Sequence, residues 1–126
     1  MIEAPVSWGE LIDKITILQI KSERIEDAAK RRNVETELTL LDQRRATAPA
    51  SAEVDRLTAE LKTVNETLWV IEDDIRDCER AQDFGARFIE LARAVYHTND
   101  KRAALKRALN EALGSAIVEE KSYKPY

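Results

Sequence analysis

A chain of 126 residues falls in the size range of one domain and can bury roughly two thirds of the surface its unfolded form exposes. Hydrophobic residues make up 44% and charged ones 35%, which is too apolar for disorder and polar enough to keep one face of each element in water. Against 24 acidic residues stand 20 basic ones, a net charge of −4 that argues against general phosphate-backbone binding and so against nucleic acid as a partner.

The opening Met-Ile-Glu-Ala-Pro-Val-Ser-Trp has no charged region followed by an apolar run, and no stretch approaches the roughly 18 apolar residues of a membrane span. A cytoplasmic protein with no membrane insertion is the expectation. Cys78 is the single cysteine and cannot close an internal disulfide. It lies on an apolar helical stripe, where a thiol behaves as a small buried hydrophobe.

Three glycines and three prolines leave room for long helices. Ser7 followed by Glu10 fits a capping box, the Ser7 hydroxyl accepting from the Glu10 amide while Glu10 reaches back, so the first helix should begin at Trp8. From there Trp8, Leu11, Ile15, Leu18, Ser22 and Ile25 recur at spacings of three and four and mark a core-facing stripe. Asp27-Ala-Ala-Lys30 reads as a place where the helix bends or is capped again, before Val34, Leu38 and Leu41 carry a shorter stripe to about Ala46. The expectation is one helix over residues 8–46 with a kink near 27.

After the linker around Pro49, Ser51 is a natural N-cap, and Glu53 and Asp55 place negative charge where the helix dipole favours it. Val54, Leu57, Leu61, Val64, Leu68, Ile71, Ile75 and Cys78 then hold a three-four alternation over more than three heptads, as in a coiled coil. This predicts a helix over residues 52–81 packed lengthwise on another, and the short linker lets it fold back against the first. Gln82 or Asp83 marks a bend. A third helix over 84–98 should bury a broad face, with Phe84, Phe88, Leu91 and Val95 on one ridge and Ile89, Ala92 and Tyr96 on the next. Thr98-Asn-Asp100 supplies caps for a fourth over 100–113, carrying Leu105, Leu109 and Leu113 and stopped by Gly114 in the left-handed conformation. The tail 115–126 is too short for a long helix and is expected to dock through Ile117 and Val118. Together these elements predict a single all-α domain over 1–126. It would be a long antiparallel hairpin of 8–46 and 52–81 with two C-terminal helices along it, a helical bundle.

Two stretches carry a family resemblance. Val6-Ser-Trp-Gly-Glu-Leu-Ile-Asp-Lys-Ile-Thr-Ile-Leu-Gln-Ile-Lys21 at the start, and Leu113-Gly-Ser-Ala-Ile-Val-Glu-Glu-Lys-Ser-Tyr123 near the end, resemble the signatures of an uncharacterised family of short bacterial helical proteins. Tyr96-His-Thr-Asn-Asp-Lys-Arg102 is similar to that family too. The resemblance spans nearly the whole chain and implies a bacterial cytoplasmic protein. Because the family is a domain of unknown function, it brings no activity with it.

On the first helix, Glu10, Asp13, Lys14, Lys21 and Arg24 fall on the side away from the main stripe, with Ile17 and Ile20 among them. Charges of both signs around exposed isoleucines make this a candidate ligand or partner face, to which Tyr96, Asn99, Arg102, Glu120 and Tyr123 are the candidate companions. The plainer alternative is a solvated face with pairs such as Glu10 and Lys14, each contributing about 0.2–0.5 kcal/mol. The aromatic tail, rich in tyrosine, could dock on the body near Trp8 and Tyr96.

Glu72, Asp73, Asp74, Asp77 and Glu79 crowd the end of the second long helix, where negative charge opposes the dipole. Asp73, Asp74 and Asp77 are thus weak candidates for a divalent cation, and ion pairing with Arg76, Arg80 or the basic residues 101, 102, 106 and 107 is the favoured alternative. His97 is the single histidine, which rules out a zinc site built on several imidazoles, and neither a nucleophile elbow nor a phosphate-binding glycine loop is present. No cofactor is therefore expected.

These features lead to a non-enzymatic helical interaction or scaffold module, with enzymatic activity not expected. A homodimer is the expected state, because the first helix is apolar on two sides and Trp69-Val70 flank the main seam, and a protein partner is the other possibility. The alternative is a small helical enzyme or ligand-binding protein acting on a phosphorylated or nucleotide metabolite with Mg²⁺ through a carboxylate and Arg/Lys cluster.

Overall fold

Four helices and no strand make up the chain in a computed structural model that describes residues 1–126: α1 (Trp8–Arg24), α2 (Ala28–Arg45), α3 (Ala52–Arg80) and α4 (Ala86–Leu113). Three of the four starts are fixed by a polar side chain that accepts a free amide of the first turn. Ser7 accepts from the Glu10 amide, Asp27 from Lys30 and Ser51 from Val54, at 3.1, 2.9 and 3.0 Å. Before α4, Asp83 accepts from the Gly85 amide instead, and Gln82 takes a positive φ of 55° to turn the chain. Gly114 ends α4 in the left-handed conformation expected of it, at φ 63°.

The predicted single helix over 8–46 is two helices. Ile25 and Asp27 are both extended, and Asp27 caps α2, so the chain reverses there instead of bending. α2 runs back along α1, with Lys14 against Glu37 at 3.1 Å and Arg44 reaching Glu3 near the N-terminus. Val34 is the one buried residue of α2. A stripe this thin covers one neighbour: α2 packs on α1, and reaches α3 through Arg45, which meets Thr58 and Asp55.

That reversal changes which helices form the long hairpin. The predicted pairing of 8–46 with 52–81 is replaced by α3 with α4, joined by the turn at 81–85. The third and fourth helices expected at 84–98 and 100–113 are one continuous helix, α4, whose 28 residues span about 42 Å. Its length matches α3, and Thr98 is buried mid-helix instead of serving as a boundary. Of the eight seam residues on α3, none is exposed: Val54, Leu57, Leu61, Ile71 and Cys78 are buried and the other three half-buried. On α4 one predicted ridge is covered, Phe88, Leu91 and Val95, whereas Ile89 and Tyr96 face solvent. Phe84 is half exposed and packs edge-on against Phe88 at 5.3 Å.

α1 lies across this hairpin and touches both of its helices. Asp13 and Glu23, ten positions apart on α1, reach Asn65 and Lys62, which are three apart on α3. Its second apolar side is taken up by the fold: Ile20 is buried and Ile17 half-buried, not exposed as the sequence pattern suggested. The core is accordingly split. Ile12, Val54, Leu57, Leu61 and Leu109 form one cluster, Ile71, Cys78 and Leu91 another. Between them in the sequence of α3 stands a polar residue, Asn65, which is buried.

Candidate functional site

The polar layer around Asn65 is assembled from three helices. Asp13 of α1, with 1% of its surface exposed, accepts from the Asn65 side-chain amide at 2.9 Å and from Nε of Arg102 on α4, also at 2.9 Å. A second bond runs from Arg102 Nη2 to the other carboxylate oxygen, so the pair is bidentate. Thr16 completes the layer, accepting from Asn65 and donating to the Asp13 backbone carbonyl at 2.8 Å. No buried side-chain polar atom is left without a partner. The hydrogen bonds to Asp13 raise the Arg102 pKa above its ordinary value against the opposing effect of burial.

One turn further along α4, Lys106 is nearly as buried, with 9% of its surface exposed. Its ammonium donates to Glu10 of α1 at 2.7 Å and to Glu119 of the tail at 3.0 Å. Burial disfavours the charged amine, but the hydrogen bonds to Glu10 and Glu119 outweigh it and raise the pKa. Glu10 therefore spends its carboxylate on Lys106, and only the Ser7 half of the expected capping box forms. Next to this pair α1 and α4 approach closely. The Gly9 amide donates to Asn110 Oδ1 at 2.7 Å, the Trp8 amide to Ser115 Oγ at 3.3 Å, and a Cβ at position 9 would lie 2.4 Å from the Lys106 carbonyl oxygen. Two amides that a helix start leaves unpaired are thus satisfied by the last turn of α4 and by Ser115 just beyond it.

The tail runs back along α4. Glu119 meets Lys106, Glu120 grips Arg107 with both oxygens at 3.2 and 3.3 Å, and the Tyr126 hydroxyl donates to Asp100. That hydrogen bond raises the Tyr126 pKa. Its ring sits edge-on to Tyr96 at 5.1 Å and to His97 at 4.5 Å. The tail does dock on the body, near Tyr96 as expected, but its anchors are charges and a terminal aromatic ring; Ile117 and Val118 are both exposed.

Of the candidate face, the fold brings together Glu10, Asp13 and Arg102, with Asn99 and Ile17 lining a groove beside them. That groove, about 590 Å³, also contains Leu68, Trp69 and Arg76. Lys14 turns to Glu37, while Lys21 and Arg24 complete the last turn of α1, where positive charge suits the dipole. Glu120 belongs to the tail contact, and Tyr123 is exposed, close only to Lys121. Three acids at the end of α3 are met by neighbouring arginines: Glu72 by Arg76, Asp77 by Arg80 and Asp74 by Arg87 of α4, at 3.5, 3.2 and 3.3 Å. Asp73 lines the groove.

Asn65, Thr16, Lys106, Asn110 and Gly9 escaped the reading of the sequence as site residues. For Asn65 a signal exists: it follows Leu61 by four and precedes Leu68 by three, in phase with the buried face of α3. Chemically the cluster is a clamp. Its charges satisfy one another and lock α1 to the α3–α4 hairpin, as a buried polar layer that sets one register does.

A second feature lies elsewhere on the hairpin. Ala59, Thr63 and Val64 of α3 and Ala104 and Leu105 of α4 line an open apolar groove of about 590 Å³, with Glu60 on one wall and Lys101 on the other.

Comparison with known proteins yields a family. The model of a family of unknown function, DUF6165, matches residues 2–126, and the chain belongs to that family. No curated protein and no solved structure shows a match to the chain. No helix is long and apolar enough to cross a membrane.

Proposed function

We propose that this member of DUF6165 is a non-enzymatic helical interaction module that works as a homodimer, with the α3–α4 hairpin as its contact. The observation that carries the reading is the apolar groove between Ala59, Val64, Ala104 and Leu105, flanked by opposite charges on its two walls. A two-fold contact must be complementary to itself. Rotation about an axis through the groove sets Glu60 against the partner's Lys101 and Lys101 against the partner's Glu60. Small side chains at 59 and 104 let a second pair of helices approach closely, and the result is a four-helix arrangement of two hairpins.

The dimensions agree. Two helices about 42 Å long and roughly 10 Å across present a strip on the order of the 800 Å² per partner that stable complexes bury. The long three-four stripe of α3 gives the hairpin a coiled-coil character and the stiffness a scaffold needs. The terminal motifs, together with a free cysteine that stays buried, support a bacterial cytoplasmic setting for this module.

Charge exchange tests the contact. Glu60→Lys and Lys101→Glu should each weaken the dimer, because each sets like charges across the two-fold. Mixing the two variants restores both ion pairs, so a heterodimer should form in preference to either homodimer. If the mixture associates no better than the variants alone, the groove is not the contact.

A further inference from the structure

On α4, Asn99, Arg102 and Lys106 share one face, and the tail passes over them carrying Glu119 and Lys121. These residues line a cavity of about 90 Å³. It opens to solvent, and its size is on the scale of a phosphoryl group and not of a whole metabolite. Its donors exceed its acceptors. Arg102 spends Nε and Nη2 on Asp13 and leaves Nη1 without a partner in the chain. The Lys121 ammonium lies 5.6 Å from the centre of the Tyr123 ring and makes no ion pair, and the Asn99 side-chain amide makes no hydrogen bond within the chain.

The one carboxylate in the cavity is Glu119, 3.0 Å from the Lys106 ammonium. Lys106 has a permanent partner in Glu10, which is fixed on α1, whereas Glu119 comes from a segment outside any helix and is half exposed. Glu119 therefore sits where an incoming anion would sit, held by one of the donors such an anion would use.

We propose that this cavity is a binding site for the phosphoryl group of a small phosphomonoester, and that Glu119 occupies it when the ligand is absent. Three terminal oxygens can engage Lys106, Lys121, Arg102 Nη1 and Asn99 together, which the two oxygens of a carboxylate cannot. Asn99 and Arg102 also border the larger groove that contains Ile17 and Trp69, so the body of the ester lies there against the indole ring. The displaced Glu119 moves into water, and the tail around it loosens.

The probes are inorganic phosphate and phenyl phosphate, titrated calorimetrically at constant ionic strength with chloride as the reference. Phosphate should bind, and phenyl phosphate should bind more tightly and quench tryptophan fluorescence, a quench lost in Trp69→Phe. Glu119→Gln removes the internal competitor and should tighten both several-fold. Lys121→Ala, at an exposed tail position, should weaken both by about tenfold without changing the stability of the unliganded protein. Binding indistinguishable from that of chloride, or affinities unmoved by both variants, overturns the site. Equal affinity for the two phosphates overturns the role of the Trp69 groove and assigns the cavity to free phosphate alone.

Discussion

Gly9→Ala perturbs a close approach of α1 to α4. The added methyl would lie 2.4 Å from the Lys106 carbonyl oxygen and 2.9 Å from Asn110 Oδ1. An ordinary carbon–oxygen contact needs about 3.3 Å, so the start of α1 must retreat by about 1 Å. The Gly9–Asn110 hydrogen bond, now 2.7 Å, then passes out of range and leaves the buried Asn110 oxygen unpaired. Loss of that bond costs about 1–3 kcal/mol, and forcing the packed helices apart about 1–3 kcal/mol more. Alanine's better helix propensity returns about 1 kcal/mol. The net is a destabilisation of about 1–5 kcal/mol, centred near 3, or a fall in Tm of roughly 10 °C at that centre for a domain of this size. Urea unfolding followed by far-UV circular dichroism measures it. An alanine variant as stable as the parent would refute the close packing of α1 on α4.

Two further outcomes follow from the buried charges. Arg102→Met strands the Asp13 carboxylate in the core and should cost about 3–5 kcal/mol, and adding Asp13→Leu should recover most of that loss. If denaturation shows the double variant as unstable as the single one, the pair is not what holds the layer together. The folded-state pKa of Lys106 is raised, so its contribution to stability is complete below the ordinary lysine value of about 10.4 and is lost as pH climbs through the higher folded value. Subtracting the pH–stability curve of Lys106→Met from that of the parent should leave a difference that is flat at neutral pH and shrinks only in strongly alkaline buffer; a difference that shrinks between pH values of about 7 and 9 contradicts the assignment.

Local chemistry was legible in the sequence, and helix partnership was not. Ser7, Ser51 and Gly114 act where their residue types predict, because a cap depends on the three or four positions beside it. The buried stripe of α3 was legible too, down to Cys78, since its period repeats over the whole helix. Asp27 could signal either a kink or a new cap. Its chemistry is the same in both, and the direction of the chain beyond it depends on whether Val34 and Leu38 find α1 or α3. At Thr98-Asn-Asp100 the reverse error arose: residues that favour caps sit inside α4, where continuous packing on α3 overrides a local preference.

The site divides in the same way. Glu10 and Asp13 stood out with Lys14, Lys21 and Arg24 as charges on one face of α1, and Arg102 as a companion. Which of these charges meet did not, because the Asp13–Arg102 contact joins positions 89 apart and depends on how α1 crosses the hairpin. Lys106 was one of several basic residues that the sequence offered to the acids of α3; three of those acids are met by Arg76, Arg80 and Arg87, and Lys106 pairs with Glu10 and Glu119.

Self-association through the α3–α4 groove is the claim on which the functional reading turns, and sedimentation equilibrium tests it most directly. At tens of micromolar the parent chain should sediment at twice its 14.4 kDa mass, and Ala104→Glu, which sets a charge in the apolar groove at an exposed position, should sediment as a folded monomer. A parent chain that stays monomeric across that range, or a variant that dimerises as well as the parent, would contradict it.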